Sequence, residues 1–311
     1  MGNLYSADEE QPTEEQAATE EPNTTKSAQK PSSKSQDGRR RLLDEYAVGD
    51  ILGEGAFGIV SSCKHRTTGK EYAVKMVDKV ESTLADIERE TEMMRCVDHP
   101  NIVKLRGVFY ERCFICIVMD KYTGGDVVEG LHTHLRLKGK IPCRKVVHIM
   151  QQMGASIQYL HSENIVHRDI KGDNFLMDRP DLTDPNCNIV LTDFGTVCFL
   201  NEGDRLSESV GTKCFWSPEF FEFNYGKKID VWAMGIVSYG LITGCFPFKD
   251  EKEIKAKMVR IPKQVHPVCE DVIRGMLEKT ERSRLSSDAV MSHEWFSNNK
   301  QRPSEGDGSG A

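Results

Sequence analysis

The sequence lacks a segment that could cross a membrane as a helix. Its longest apolar stretch, IDVWAMGIVSYGLITG from Ile229, contains the charged Asp230 and is shorter than the roughly 20 residues that a bilayer requires. We therefore expect a buried helix there. An excess of basic residues is also missing, because 48 acidic residues outnumber 41 basic ones and the net charge is -7. This balance gives no broad electrostatic reason to bind nucleic acid.

Regular cysteine spacing is missing as well. The ten cysteines extend from Cys63 to Cys269 without a paired framework, and no secretory leader precedes them. We therefore expect free thiols in a reducing, cytoplasmic location. Cys113 and Cys116 form the single C-x-x-C, and no second pair accompanies it to complete a zinc site. Its apolar setting, ERCFICIVM, predicts that both thiols pack in the core.

The two ends of the chain have too few apolar residues to fold alone. From Met1 to about Arg41 the chain carries almost none after Tyr5, which predicts a disordered leader over residues 1–43. In its first residues, MGNLYS, Gly2 and Ser6 match the pattern for N-myristoylation. A single lipid chain anchors weakly, so the expectation is reversible, peripheral membrane association. The alternative is an unmodified leader. Residues 298–311 are expected to be a flexible tail.

The middle of the chain changes character near residues 121–125. Strand patterns and one helical pattern at 82–97, with Ile87, Met94 and Val97 on a shared face, fill residues 44–120. Residues 125–297 are mainly helical. For example, apolar side chains recur at helical spacing in Val146, Met150, Met153, Ile157 and Leu160. The patterns predict an α+β fold in which a small antiparallel-sheet lobe with one helix precedes a larger helical lobe.

Two motifs carry candidate chemistry. The run VHRDIKGDNF, residues 166–175, alternates charged and apolar side chains, as a half-buried loop facing a ligand would. The run LGEGAFGIV begins at Leu52 and has glycines at 53, 55 and 58, which allow close approach to phosphate. A strand rather than a helix follows it, so a hairpin is predicted and a dinucleotide fold is not. Lys75 in YAVK follows on a further strand.

Taken together and in this order, G-x-G-x-x-G-x-V, a strand lysine, a helix glutamate, HRDxKxxN and DFG resemble the protein kinase family from Tyr46 to about Phe296. The resemblance implies an enzyme that uses ATP and Mg²⁺, or Mn²⁺, to phosphorylate proteins. It implies that Asp169 receives or orients the substrate hydroxyl proton, with Lys171 near the transferred phosphate. Asn174 and Asp193 would hold the metal, and Thr212 would bond toward Asp169 and Lys171.

The resemblance also implies a nucleotide site. Lys75 would hold the α and β phosphates and pair with one of four acids on the helix, Asp86, Glu88, Glu90 or Glu92, among which kinase spacing selects Glu90. The remaining implied contacts are the glycine-rich run at Leu52, Gly53, Gly55 and Gly58, the adenine-flanking Val60, Ala73 and Leu176, the gatekeeper Met119, the linker backbone from Asp120 to Tyr122, and Asp126 near the ribose.

Specificity and control follow from the same resemblance. Lys171 and the segment GTKCFWSPE are similar to serine/threonine kinases, and Glu219 is expected to pair with Arg284. Because Arg168 precedes Asp169, an anionic group is expected on the activation segment, where Glu208 stands between Ser207 and Ser209. The hypothesis is partial activity that phosphorylation of either serine would raise. The alternative is an exposed acid in a mobile loop.

The positions of two acidic residues imply a substrate preference. Asp126 and Asp173 match positions that would favour an arginine three residues before the acceptor, whereas Gly240 replaces a further acid. The sequence motifs are most similar to those of calcium/calmodulin-dependent and calcium-dependent kinases. However, no EF-hand loop follows the catalytic region, so direct calcium control is not expected. The rival interpretations are a catalytically silent, membrane-tethered scaffold of the same fold and a membrane adaptor acting through the leader.

Overall fold

The computed structural model describes residues 40–55 and 58–297. Gly2, the rest of the predicted leader as far as Arg39, and the predicted tail from residue 298 lie outside these ranges. A short helix, α1 (Leu42–Glu45), begins two residues before the predicted domain start at 44. The reason is that Leu42 is buried, in a cluster that includes Tyr46 and Val118.

The small lobe contains one five-stranded antiparallel sheet in the order β1-β2-β3-β5-β4. Its strands are β1 (Tyr46–Gly55), β2 (Gly58–His65), β3 (Glu71–Asp78), β4 (Leu105–Tyr110) and β5 (Phe114–Asp120). Both faces of β3 are covered: Val74 packs in the cluster with Leu42, whereas Ala73 packs in the main core. The register places Val60 opposite Lys75 and Ala73 opposite Met119.

One long helix, α2 (Leu84–Cys96), packs against this sheet. It begins where the Thr83 hydroxyl accepts the backbone N–H of Asp86 at 3.1 Å, an N-cap that satisfies one free donor. Ile87, Met94 and Val97 are all buried, which confirms the shared face predicted from their spacing.

The large lobe is helical and is linked to the sheet by residues 121–126. Its helices are α3 (Val127–Lys138), α4 (Cys143–Ser162), α5 (Pro218–Phe221), α6 (Lys228–Thr243), α7 (Glu251–Ala256), α8 (Pro267–Met276), α9 (Ser287–Met291) and α10 (Glu294–Ser297). The apolar positions predicted for α4 are buried, and α6 is buried along nearly its whole length, as expected. Within the described ranges, no helix is long and apolar enough to span a bilayer. The predicted two-lobed α+β fold is confirmed.

Short strands hold the functional loops on the large lobe. They form two pairs, β6 (Ile165–Val166) with β9 (Cys198–Phe199), and β7 (Phe175–Met177) with β8 (Ile189–Leu191). The loop between β6 and β7 contains the HRD and Asn motif, and Asp193 follows β8. The pairing therefore brings both sequence motifs to one edge of the lobe.

The prediction for the C-x-x-C pair is half wrong. Cys116 lies on β5 and is buried, but Cys113 is exposed. Cys113 belongs to the tight turn between β4 and β5, whose ends are joined by the backbone bond from Glu111 N–H to Phe114 O at 2.9 Å. A turn at the edge of a sheet faces solvent, so its apolar neighbours do not bury it.

Candidate active site

Asp169 lies at the centre of a hydrogen-bond network in the loop between β6 and β7. Its Oδ2 accepts from Lys171 Nζ at 2.8 Å and from Asn174 Nδ2 at 3.2 Å. Its Oδ1 accepts from Thr212 Oγ1 at 2.8 Å, and Lys171 also donates to Thr212 at 3.1 Å. The structure thus brings together the four residues, Asp169 included, that the sequence predicted to be catalytic.

This network decides the charge of Asp169. The residue is buried, and burial by itself would raise the pKa of the carboxyl group. The hydrogen bonds from Lys171 and Thr212, with the positive charge of Lys171, outweigh that effect and lower the pKa below its ordinary value. Asp169 is consequently ionised at neutral pH and can accept a hydrogen bond from a hydroxyl group.

The backbone of the loop is fixed by Asp230 on α6. Asp230 is 1% exposed, and its carboxylate accepts from the N–H of His167 at 2.8 Å and of Arg168 at 2.9 Å, and contacts His161 Nε2 at 3.0 Å. Arg168 has a φ of 70°, a strained value for a residue with a side chain. The buried carboxylate holds this strained backbone in place immediately before Asp169.

Sequence reasoning noted Asp230 but missed this role. A usable signal was present, because a lone carboxylate in a mainly apolar helix must find partners when it is buried. The partners themselves come from the HRD motif more than 60 positions away, which a local pattern does not specify.

A second cluster lies between the lobes. Lys75 on β3 donates to Glu90 Oε1 on α2 at 2.7 Å, and its Nζ is 3.8 Å from Asp193 Oδ1. Among the four acids considered from the sequence, Glu90 is the one that lies against Lys75. Asp193 has a φ of 64°, and the following Phe194 is buried with its ring 5.7 Å from that of His167. These contacts hold the Asp193 carboxylate toward the lysine.

Asp193 and Asn174 have the donor atoms that a hard divalent cation prefers. Asp193 Oδ1 is buried and makes no hydrogen bond within the described residues. Asn174 donates through its amide nitrogen to Asp169, so its amide oxygen is the atom that could bind a cation. The backbone bond from Thr192 N–H to Asn174 O at 2.9 Å joins the two segments. Carboxylate and amide oxygens of this kind suit Mg²⁺.

The described residues of the glycine-rich run lie at the end of β1 and the start of β2, which pair antiparallel. Gly55 pairs with Gly58, and Gly58 has a φ of 127°, which side chains rarely adopt. A Cβ at Gly58 would also lie 2.1 Å from Met76 O, so glycine is required there. Around a Cβ position at Gly53 there is open space. Leu52 on the same strand is exposed.

The side chains predicted to flank adenine come from both lobes. Ala73 and Met119 are buried in the main core with Val60 against it, and Leu176 on β7 is half-buried. The linker is bonded to β7 by Gly124 N–H to Met177 O at 2.8 Å and by Met177 N–H to Gly125 O at 2.9 Å.

Residues at the two ends of the linker differ in which of their polar atoms remain available to a ligand. The carboxylate of Asp120 binds Arg106 at 2.8 and 2.6 Å. The backbone N–H of Asp120 donates to Lys104 O at 3.2 Å. The Asp126 carboxylate caps α3 by accepting the N–H groups of Val128 and Glu129. Asp126 therefore has a structural role in addition to the expected place near the ribose.

The activation segment is attached to the catalytic loop by Arg168 and Gly211. Arg168 Nη1 forms an ion pair with Glu208, and its Nε donates to Thr196 O at 2.6 Å. A Cβ at Gly211 would lie 2.3 Å from Arg168 O, so only glycine permits this approach. Ser207 and Ser209 are exposed on either side of Glu208.

The expected pair of Glu219 and Arg284 is confirmed. Arg284 is 1% exposed and binds both carboxylate oxygens of Glu219, one of them at 2.8 Å. The pair ties α5 to the loop that precedes α9.

Comparisons with known proteins agree with this geometry. Residues 46–296 match the family model described as the protein kinase domain. Over 279 residues, or 85% of the chain, the sequence is 30% identical to calcium-dependent protein kinase 11 of Arabidopsis thaliana and, equally, to calcium-dependent protein kinase 20 of Oryza sativa subsp. japonica. The match covers 55% and 50% of those relatives, so the chain spans about half their length. On the extent of the family match, the chain belongs to the protein kinase family.

Proposed function

We propose that this protein is a serine/threonine protein kinase that transfers the γ-phosphate of ATP to hydroxyl groups of protein substrates. The observation that carries the proposal is the Asp169 network: an ionised carboxylate bound to Lys171 and Asn174 of its own loop and to Thr212 of the segment after β9. Phosphoryl transfer depends on positioning and charge rather than covalent chemistry, and this network supplies both.

Each residue has a definable task in the transfer. Asp169 orients the attacking hydroxyl and receives its proton, while Lys171 offsets the charge of the transferred group. Lys75, oriented by Glu90, binds the α and β phosphates. Asp193 and Asn174 would hold Mg²⁺, or Mn²⁺, which supplies positive charge to the phosphate oxygens.

The nucleotide base has a matching apolar site. Val60, Ala73 and Leu176 would contact the faces of adenine, with Met119 at the back. Because the N–H of Asp120 already donates to Lys104, the adenine edge would use the carbonyl of Asp120 and the backbone of Tyr122.

The test is phosphate transfer by the purified full chain from γ-labelled ATP to a mixed protein substrate. Asp193→Ala and Asp169→Asn should each abolish transfer, while Asp271→Ala, which removes an exposed carboxylate on α8, should retain it. Labelled ATP bound without any transfer would favour the silent scaffold instead.

Serine/threonine selectivity is supported by the resemblance of Lys171 and the GTKCFWSPE segment to serine/threonine kinases, and Lys171 donates to Thr212 of that segment at 3.1 Å. A matched pair of peptides that differ only in a serine or a tyrosine acceptor tests it. We expect the serine peptide to be phosphorylated and the tyrosine peptide to be inert. Equal rates on the two peptides would contradict the selectivity and leave kinase activity itself intact.

A preference for substrates with an arginine three residues before the acceptor is supported by the charge around Asp126. Burial, and the neighbouring carboxylates of Glu129 and Asp173, raise the pKa of Asp126. A substrate cation would relieve this repulsion. We expect Asp173→Asn to lower kcat/KM about fivefold for a peptide with that arginine, equivalent to ~1 kcal/mol, and to leave an alanine peptide unaffected.

Regulation by the activation segment is supported by the ion pair of Arg168 with Glu208. A carboxylate carries about one negative charge, whereas a phosphate carries about 1.5 to 2. We propose basal activity from Glu208 and a further increase when the exposed Ser207 or Ser209 is phosphorylated.

We propose that the protein is cytoplasmic and binds membranes reversibly through myristoylated Gly2 of its leader. The support is the sequence motif alone, and a single acyl chain would give only weak anchoring. In cell fractionation at low salt, the parent should partition partly with membranes and Gly2→Ala should not. Identical partitioning of the two would contradict the proposal.

A further inference from the structure

A basic surface lies on the small lobe where the described part of the chain begins. It consists of α1 with the two residues before it, and of the end of β2 with the turn to β3; we call it the α1 patch. Leu43 of this patch is 62% exposed. The exposed cations of the patch are Arg40, Arg41, Lys64, Arg66 and Lys70.

Hydrogen bonds join the two segments of the α1 patch. Arg66 donates through Nε to Leu43 O and through its backbone N–H to Glu45 O, both at 2.8 Å. A Cβ at Gly69 would lie 3.7 Å from Lys64 Cε, so the Lys64 side chain lies alongside the turn. The exposed leucine and the cations therefore share one continuous surface.

Most positive charges of the α1 patch have no carboxylate partner. Glu45 pairs with Arg40, and Glu71 beside the turn pairs with Lys121 at 2.9 Å. The patch cations that form no ion pair within the described ranges are Arg41, Lys64, Arg66 and Lys70. Among the described acids of the patch, Asp44 is left to oppose them. The patch is thus positive although the whole chain has a net charge of -7.

The α1 patch lies on the face of the sheet that points away from the candidate active site. Leu42 of α1 packs in one cluster with Val74 of β3. The next residue, Lys75, binds Glu90 on the other side of the sheet. Successive side chains of a strand point to opposite faces, so a partner on the patch leaves the nucleotide site open.

We propose that the α1 patch binds the surface of a bilayer that contains anionic lipids. In the proposed membrane association, on which this role of the patch rests, one acyl chain anchors weakly and a second contact is needed. Each cation near such a surface favours binding by about fivefold.

Two features favour a lipid surface over an acidic protein as the partner. The exposed Leu43 beside the cations provides an apolar side chain for the headgroup region, which is the combination that interfacial binding uses. The leader that carries Gly2 is joined to the domain at Arg40, within the patch. The acyl chain and the patch can therefore act on the same membrane.

The test uses the full chain made without its acyl group, and measures co-sedimentation with phosphatidylcholine vesicles that contain about 30% phosphatidylserine. We expect binding to these vesicles, none to pure phosphatidylcholine, and release when NaCl rises from about 0.1 M to about 0.5 M. Binding of the parent to polyglutamate and not to these vesicles would identify an acidic protein as the partner and overturn the proposal. Because no acyl chain is present, failure of the Gly2 proposal would leave this result unchanged.

A triple variant locates the binding surface. Arg41→Gln, Lys64→Gln and Lys70→Gln together should lower the partition coefficient about 100-fold. The matched control removes the same charge from exposed lysines of the large lobe and should change partition less than about twofold. Its substitutions are Lys249→Gln, Lys252→Gln and Lys263→Gln. An equal loss in both triple variants would assign binding to net charge, and no loss in the patch variant would assign it to the leader; either result overturns the proposal.

The apolar contact is tested separately. Leu43→Ala should lower partition onto the same vesicles about fivefold at about 0.1 M NaCl. Leu137→Ala, at a leucine of α3 that is 68% exposed, is the control and should leave partition unchanged. Unchanged partition in Leu43→Ala would overturn the assignment to lipid, because the apolar contact is what distinguishes a bilayer from a purely ionic partner.

Discussion

Two arginine–glutamate pairs in the large lobe show how burial separates a structural contact from an adjustable one. In the interior, the side chains of Arg284 and Glu219 are 0% and 10% exposed. At the activation segment, Arg168 is 8% exposed but Glu208 is 63% exposed. When both charges are enclosed, neither can leave without a large penalty. When one is in water, a stronger anion can replace it.

A contrast of a different kind separates two buried aspartates near the loop between β6 and β7. Asp230 is enclosed, and its carboxylate is occupied by His161 and by the backbone of His167 and Arg168. Asp169 lies in the loop that Asp230 holds, and its partners Lys171 and Thr212 belong to the site itself. The interior acid therefore fixes geometry, and the acid of the loop is available for chemistry.

The largest effect is expected from Asp230→Ala. The substitution leaves two backbone N–H groups and His161 without their acceptor in a buried site. We expect the free energy of unfolding in urea to fall by about 4–5 kcal/mol. Asp271→Ala on the exposed face of α8 is the matched control and should change it by less than about 0.5 kcal/mol. Comparable stability of the two variants would break the contrast between interior and surface acids.

Arg284→Met should have the next largest effect. It leaves the Glu219 carboxylate buried without a cation, and we expect a loss of about 3 kcal/mol in the free energy of unfolding. Adding Glu219→Leu should recover much of that loss, because replacing both charges removes the unpaired one. A double variant that is less stable than Arg284→Met would show that the pair contributes more than mutual neutralisation.

Glu208→Ala should affect activity rather than stability. An ion pair with one exposed partner contributes about 0.2–1 kcal/mol, so unfolding should barely change. In phosphatase-treated protein, we expect the initial rate of peptide phosphorylation to fall about threefold to fivefold, because Arg168 loses its anion. Glu202→Ala, an exposed acid on the same segment, is the control. An unchanged rate in Glu208→Ala would assign that glutamate to a passive loop.

Local patterns were sufficient for most of the fold. Alternation and turn residues predicted β1 to β5, and helical spacing predicted α2 and α4. These predictions succeed because the spacing of apolar residues in the sequence matches the spacing at which a strand or a helix buries one face. The spacing typical of kinases pointed to Glu90, and the structure places it at 2.7 Å from Lys75. Motif spacing succeeds here because the lysine and glutamate lie on adjacent elements.

Partnerships between distant segments were not predictable where no family motif pairs the residues, in contrast to Glu219 and Arg284. Asp230 meets the HRD loop only because α6, which is remote from that loop in sequence, packs against it. The exposed Cys113 illustrates the same limit at short range, since one residue beyond the strand end changes a core position into a turn position. Burial and partners are properties of the packed structure, and composition constrains them only weakly.

The smallest expected effect is a change in pH dependence that isolates the network around Asp169. The lowered pKa of this aspartate means that its ionised state contributes stability above the pKa of the unfolded chain, which is lost as pH falls through the folded value. Lys171→Met removes a hydrogen bond and a positive charge, so the effect of burial is less opposed and the pKa of Asp169 should rise. The acidic limb of the kcat/KM profile should then move to higher pH, whatever the loss in absolute rate. The control is Lys213→Met, at an exposed lysine of the activation segment, which should leave the acidic limb of the profile in place. If the acidic limb also stays in place in Lys171→Met, Asp169 is not the group that titrates there.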